Sequence, residues 1–361
     1  MLQPQISIIC ATYNGEPKLP GLLLALQTNF ANAISNFELI FVIDGSTDES
    51  EKLLREFVQR NPGKDIQIIK NSSNQGISIS RNRGITASTS QFIAFVDDDC
   101  RPESLWVDTL CRYWEKAPDS IVGVGGFVKP SEIFSFNQKY CALIQPLRPF
   151  PLVLQHSTLR DRLKRYYGNH GCVFNFAEYL VGANMSFRKS ALEQVGLFSA
   201  EMSFGGDDSY ICMKLRGKFG DTCLAVIETL TMPHEYSIEF KDSLRRSLNY
   251  GVGAGRNFLL GQSGISINPG PTLIISVTGI LSVVTDLSTA VSTLLPPITL
   301  LLLSLTTLFY AIFVTRNYSK IELQYRERVT VGLAFLLCEL ANQIGFLSAI
   351  RYLNFFSKRR V

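Results

Sequence analysis

Short apolar runs alternate with amphipathic stretches through the first two thirds of the chain. Residues 6–12 (Ile-Ser-Ile-Ile-Cys-Ala-Thr), 37–43, 66–70 and 92–96 are rich in β-branched and aromatic residues and read as buried strands. Between them, 19–28, 49–60 and 77–88 carry apolar residues at helical spacing, and Tyr13-Asn14-Gly15, Asn61-Pro62-Gly63 and Asn74-Gln75-Gly76 punctuate the alternation. Strands alternating with helices predict an α/β fold, a mostly parallel, Rossmann-like sheet with helices on both faces. Further along, 120–130, 180–188 and 223–228 read as strands and 207–219 as a helix, while the aromatic-rich stretch 131–178, with Arg160, Arg162, Lys164 and Arg165, reads as a loop or lid.

The pattern changes near the end. Residues 273–295 and 298–315 are almost wholly apolar and are joined by Pro296-Pro297. A bilayer core takes about 20 apolar residues as a helix, so two spans are expected there. A third stretch, 329–353, holds Glu339, Asn342 and Gln343, and reads as either a span or an in-plane interfacial helix. The expected organisation is a domain over 1–240, a basic juxtamembrane segment over 241–270 and a membrane region over 271–361. Hydrophobic residues make up 46% of the 361 and the mean hydropathy is +0.13, both raised by this region. The N-terminus has no signal-peptide pattern, which predicts a multi-pass membrane protein with a cytosolic N-terminal domain. Basic residues gather beside the apolar part (Lys241, Arg245, Arg246, Arg256, Arg316, Lys320, Arg326, Arg328, then Lys358-Arg359-Arg360), so membrane lipids are expected partners and nucleic acid is not. The eight cysteines are scattered without a CxxC pair, which points away from zinc and redox chemistry.

The chemistry concentrates in Asp97-Asp98-Asp99, directly after the strand at 92–96. Adjacent carboxylates repel one another unless a cation is shared. Ligands of open α/β sheets bind at the carboxyl ends of the strands. Oxygen-only ligands favour Mg²⁺ or Mn²⁺ over zinc. A solvated acidic turn is the competing reading, since Asp is a common turn residue.

Other segments join this one in a recognisable order. Ala11-Thr12-Tyr13-Asn14, Asp44-Gly45-Ser46-Thr47-Asp48, Asn74-Gln75-Gly76 through Ser80-Arg81-Asn82-Arg83-Gly84, Asp97–Asp99, Gly182–Arg188 and Gly205-Gly206-Asp207-Asp208 together resemble glycosyltransferase family 2, with the GT-A fold, over roughly residues 5–240. The resemblance implies an inverting transferase that moves a sugar from a nucleotide-diphosphate donor, with a divalent metal, Mg²⁺ or Mn²⁺. The membrane stretches suggest a lipid-linked or glycan acceptor at the cytosolic face. Thr12, Tyr13 and Asn14 would hold the base, and Asp44 would accept a hydrogen bond from base or ribose, or else serve a helix end. Arg81, in the first turns of the helix after Gly76, would fork onto diphosphate oxygens. Asp97 and Asp99 form a DXD pair with Asp98 between them. By resemblance Asp99 is the foremost metal ligand, Asp97 or Asp98 touches ribose or reaches the metal, directly or through water, and His234 is a further metal ligand or else a structural histidine. The family usually has Glu-Asp where this chain has Asp207-Asp208; by resemblance Asp208 is the catalytic base and Asp207 its neighbour, with helix capping as the alternative for both. Arg245-Arg246 and Tyr250–Gly253 resemble a segment that closes over the donor. Three other readings compete: a processive polysaccharide synthase, whose Gln-x-x-Arg-Trp motif this chain lacks; a sugar-nucleotide pyrophosphorylase, which would begin with a Gly-rich, Lys-containing loop; and a non-catalytic nucleotide-sugar-binding scaffold.

Overall fold

In the computed structural model, residues 5–152, 175–202, 205–259 and 325–357 are described. The chain divides into two compact units, Met1–Ile238 and Glu239–Val361.

The first unit is built on a seven-stranded sheet. Its elements run β1 (Ile6–Thr12), α1 (Leu19–Asn32), β2 (Phe37–Asp44), α2 (Ser50–Arg60), β3 (Ile66–Asn71), α3 (Ile77–Ala87), β4 (Phe92–Phe95), α4 (Trp106–Lys116), β5 (Gly123–Pro130), α5 (Phe136–Ile144), β6 (Phe150–Pro151), β7 (Ala177–Tyr179), β8 (Met185–Arg188), α6 (Lys189–Gln194), α7 (Asp207–Phe219) and β9 (Leu224–His234). The strand order is β3-β2-β1-β4-β8-β5-β9. All pairings are parallel except those of β8, which runs antiparallel to both β4 and β5. One reversed strand therefore sits inside an otherwise parallel sheet. β6 and β7 form a separate antiparallel pair.

Strand alternation sorts the apolar residues onto two faces. Ile6, Ile8, Cys10, Leu39, Phe41 and Ile43 face α1, α2 and α4, whose Leu22, Leu26, Leu54, Phe57, Trp106, Leu110 and Trp114 pack against them. Ile9, Ile40, Val42, Ile93 and Phe95 face the other way, onto Ile85 of α3, Leu192 of α6 and Ile211 and Leu215 of α7. Every residue of β2 is buried, as a strand covered on both faces requires. Its one mid-strand charge, Glu38, accepts from the Thr89 and Ser90 backbone N–H groups at 2.6 and 3.3 Å and from the hydroxyls of Thr89 and Ser7. A buried carboxylate is tolerated when its lone pairs are met in this way.

The predicted strands and helices of the first hundred residues are all present. α4 and α5 were not anticipated. Part of 131–178, read as a loop or lid, is α5 and the β6–β7 pair, with Ser135 and Gln138 closing a capping box at the start of α5; its residues 153–174 lie outside the described residues. The strand expected over 180–188 is confined to Met185–Arg188, because residues 181–184 turn toward α7. The last strand runs on to His234, six residues past the expected end.

The second unit is described over α8 (Phe240–Leu259) and α9 (Tyr325–Ser357). The two helices meet at glycines: a Cβ added to Gly251 would lie 1.8 Å from the Asn342 carbonyl oxygen, and one added to Gly345 2.0 Å from that of Leu248. The expected spans at 273–295 and 298–315 lie outside the described residues. The third stretch, 329–353, falls within α9, where Glu339, Asn342, Gln343 and Arg351 interrupt the apolar run. Among the described residues no helix is long and apolar enough to cross a membrane.

Candidate active site

The order of the strands reverses at β1, which lies between β2 and β4; in open α/β sheets the ligand crevice lies at such a point, at the carboxyl ends of the strands. The loops after β1, β2 and β4 line it. Backbone and side chains staple the first two together: Asn14 N–H donates to Ser46 Oγ at 3.0 Å, Thr47 N–H to Asn14 Oδ1 at 2.9 Å, Gly15 N–H to Ser50 Oγ at 2.9 Å and Glu16 N–H to Asp48 Oδ2 at 2.9 Å. Asn14 adopts the left-handed conformation (φ 49°), which Asn tolerates better than most residues. Tyr13 stands half exposed beside it. Thr12 ties this loop to the triplet, its hydroxyl donating to Asp98 Oδ2 at 2.7 Å.

Asp44 is buried and bonded within the protein. Its carboxylate accepts from Asn71 Nδ2 at 2.6 Å, the Gln75 N–H at 2.9 Å and the Gly76 N–H at 2.8 Å. It thereby holds the turn that opens α3, and it does not cap α2, the helix next in sequence.

Arg81 is buried too, and its guanidinium faces carboxylates. It pairs with Asp207 and reaches Asp97 Oδ1 at 3.1 Å, while the Phe95 and Phe198 rings lie 5.5 and 5.7 Å from it. The guanidinium expected to fork onto diphosphate forms here a bridge that joins the acid triplet to the acid pair.

Each acid of the triplet faces a basic side chain, and Asp98 and Asp99 share one. Asp97 has Arg81; Lys18 Nζ sits 3.3 Å from Asp98 Oδ1 and 3.0 Å from Asp99 Oδ2; His234 Nε2 lies 3.0 Å from Asp99 Oδ1. Burial works to raise Asp99, but His234 and Lys18 beside it hold its carboxyl well below the usual range. Burial raises Asp98, against the pull of Lys18. His234, the last residue of β9, reaches the triplet because the two backbones are laced together, Arg101 N–H to the Pro233 carbonyl and Glu235 N–H to that of Asp99, both at 2.7 Å.

Asp99 Oδ1 is buried without a hydrogen bond of proper alignment, although His234 Nε2 is so close, and His234 Nδ1 is likewise unpartnered. An acceptor and an imidazole nitrogen converging without satisfying each other suit a cation between or beside them. Among the described residues no three His, Cys, Asp or Glu side chains form a complete metal cage. Two protein ligands suit Mg²⁺ or Mn²⁺, which commonly complete their shells with phosphate and water. Asp97, expected as a third ligand, instead faces Arg81.

Asp207 and Asp208 open α7 after Gly205-Gly206. The N-cap residue Gly206 has no side chain to cap the helix, and both acids place negative charge in its first turn, where Asp208 also meets a backbone N–H. Asp208 accepts from the Gly182 N–H at 3.2 Å and the Ser209 N–H at 2.7 Å. Burial, and then the charge of Asp207, push Asp208 up to about 6. Asn184, two residues past Gly182, fixes this region by accepting from the Trp106 indole at 3.0 Å and donating to the Leu230 carbonyl at 2.9 Å.

The residue that the sequence reading passed over is Lys18. Its signal was a cation at the start of α1, where the helix field disfavours positive charge.

Comparison with known proteins bears on the family and the fold. Residues 7–196 match the model of Glycosyl transferase family 2. The chain is 24% identical over 223 residues to glucosyl-dolichyl phosphate glucuronosyltransferase of Haloferax volcanii, a match covering 60% of this chain and 65% of that protein. It is 30% identical over 100 residues to dolichyl-phosphate beta-glucosyltransferase of Dictyostelium discoideum, covering 26% of this chain and 30% of that one. The matches thus span less than two thirds of these relatives. In fold, the chain is similar to the mannosyltransferase PcManGT of Pyrobaculum calidifontis, solved with GDP-Man and Mn²⁺, with a TM-score of 0.59 at 15% identity over 95% of this chain and 88% of that one.

Proposed function

Because the chain belongs to glycosyl transferase family 2, we propose that it transfers a sugar from a nucleotide-diphosphate donor to an acceptor hydroxyl by direct displacement at the β1–β4 crevice. The acceptor oxygen forms a bond to the anomeric carbon as the bond from that carbon to the diphosphate oxygen breaks. The configuration inverts, and the acceptor proton passes to Asp208. The observation that carries this reading is the meeting of two acid clusters: Arg81 joins Asp97 of the triplet to Asp207, and beside Asp207 at the start of α7 burial pushes Asp208 up to about 6. A base with such a pKa is half-poised to take a proton near neutrality, where catalysis of this kind is most effective.

The other residues support the base. Arg81 holds Asp207 and, through Asp97, keeps the acid pair in register with the triplet. Tyr13 offers a ring at the lip for a nucleobase. Asp99 and His234 would hold a divalent metal, which supplies Lewis-acid neutralisation of the departing diphosphate when bound. PcManGT, of the same fold, holds Mn²⁺ with GDP-Man. The acceptor is proposed to be lipid-linked, presented at the cytosolic membrane face, in keeping with the apolar residues 273–315 and with the dolichyl phosphate in the names of two relatives.

Screening UDP, GDP, dTDP and CDP, with and without Mn²⁺, for a rise in melting temperature identifies the donor class. With that donor, Asp208→Asn is expected to abolish transfer and leave nucleotide binding within about twofold, against the 10²–10⁴-fold that a general base contributes. Normal turnover by Asp208→Asn would refute the assignment of the base.

A further inference from the structure

Lys18 stands in an unfavourable place for a cation unless it has acids to face. It occupies the N-cap of α1, where backbone N–H groups already give a positive field. Its ammonium spans two neighbouring carboxylates, Asp98 and Asp99, while its side chain is 45% exposed and has room to leave. Asp99 has a cation or imidazole on each oxygen, Lys18 on Oδ2 and His234 on Oδ1. A divalent cation on Asp99 and His234 would have to share this one carboxylate with the ammonium. Two cations on one carboxylate repel strongly where water is scarce. Lys18 must then give up Asp99, and no acid other than the triplet pairs with it among the described residues. The anion that arrives with the metal is the donor diphosphate.

From this geometry we propose that Lys18 is a resident counter-cation of the acid triplet that makes metal binding depend on the donor. In the metal-free protein it occupies Asp99 and weakens the site for a bare divalent ion. When nucleotide diphosphate binds, the ammonium moves from Asp99 to the phosphate oxygens and the metal takes the carboxylate. Metal and nucleotide then reinforce each other's affinity by the same factor, as linkage requires. Lys18 is thus a positioning residue, and its role rests on the proposed metal site at Asp99 and His234.

The test is Mn²⁺ affinity, read by electron paramagnetic resonance on the full chain, without nucleotide and with saturating UDP or GDP. Variants are Lys18→Met, Lys18→Arg and Asp99→Ala, each first shown to melt cooperatively. For wild type, Mn²⁺ alone is expected to bind weakly and at least tenfold more tightly with one of the nucleotides. Lys18→Met should bind Mn²⁺ alone about tenfold more tightly than wild type and gain less from nucleotide; Lys18→Arg, which keeps the charge, should resemble wild type. If Lys18→Met binds bare Mn²⁺ no more tightly than wild type, while Asp99→Ala abolishes binding, the role of Lys18 is overturned and the metal site stands. If Asp99→Ala leaves Mn²⁺ binding unchanged, or no variant binds Mn²⁺ under any condition, the metal site itself is overturned and the proposal for Lys18 with it.

Discussion

The ionisation of Asp208 sets two expectations at the scale of single residues. The proposed base would work only when deprotonated, so kcat/KM should rise with pH through about 6 and level above it, with unit slope on the acid side. A pH–rate profile of the full chain checks this; a profile flat down to pH 5 would point to another base. The fold, by contrast, favours the protonated form. Between the ordinary carboxylate range and about 6 the native state holds a proton that the unfolded chain has lost, so this residue's contribution to stability falls as pH rises. Asp208→Asn, neutral and nearly the same size, should therefore match or exceed the wild-type melting temperature at pH 7.5 while losing transfer. Arg81 behaves oppositely. Its removal strands the buried Asp207, and breaking such a pair from one side costs about 3–5 kcal/mol. Arg81→Met should show that loss in urea denaturation. Arg81→Lys should recover only part of it, because an ammonium cannot fork onto Asp207 and Asp97 while stacking between Phe95 and Phe198.

Among elements, the close pair α8 and α9 carries the sharpest expectation. With carbonyl oxygens where a Cβ would stand, Gly345→Val or Gly251→Val must part the two helices. Overpacking of this sort costs about 1–3 kcal/mol, and more against backbone, which cannot rotate away. Faster limited proteolysis within 239–361, with melting of 1–238 unchanged, is the expected readout. The elements also mark what the sequence could and could not disclose. The strands of the first hundred residues were legible because each is a β-branched run bounded by turn residues. α4 was not legible, because Trp106, Leu110 and Trp114 have helical spacing but no capping residue marks where the helix begins. The reversal of β8 had no local signal, since strand direction is set by which neighbours pair and not by its own four residues. The same holds at the site. The acids and His234 were legible by type and order, whereas the engagement of Arg81 and Asp44 with partners inside the protein was not, because those partners lie 126 and 27 residues away.

For the whole molecule, residues 273–315 dominate its expected behaviour in the cell. If that stretch lodges in a bilayer as proposed, the full chain should stay with the membrane fraction through an alkaline carbonate wash; release into the supernatant would argue for a peripheral attachment. The first unit adds a consequence through the lacing of residues 99–101 to 233–235. During synthesis the three acids leave the ribosome long before His234 and Asp207 exist. Lys18 and Arg81, however, are translated ahead of them, so the nascent chain carries its own neutralising charges from the start. The parts that confer chemistry arrive last, with β9 closing the sheet edge. A truncated or stalled product ending before residue 234 would therefore hold the triplet with Lys18 and Arg81 beside it but without His234, the side chain that completes the proposed metal site.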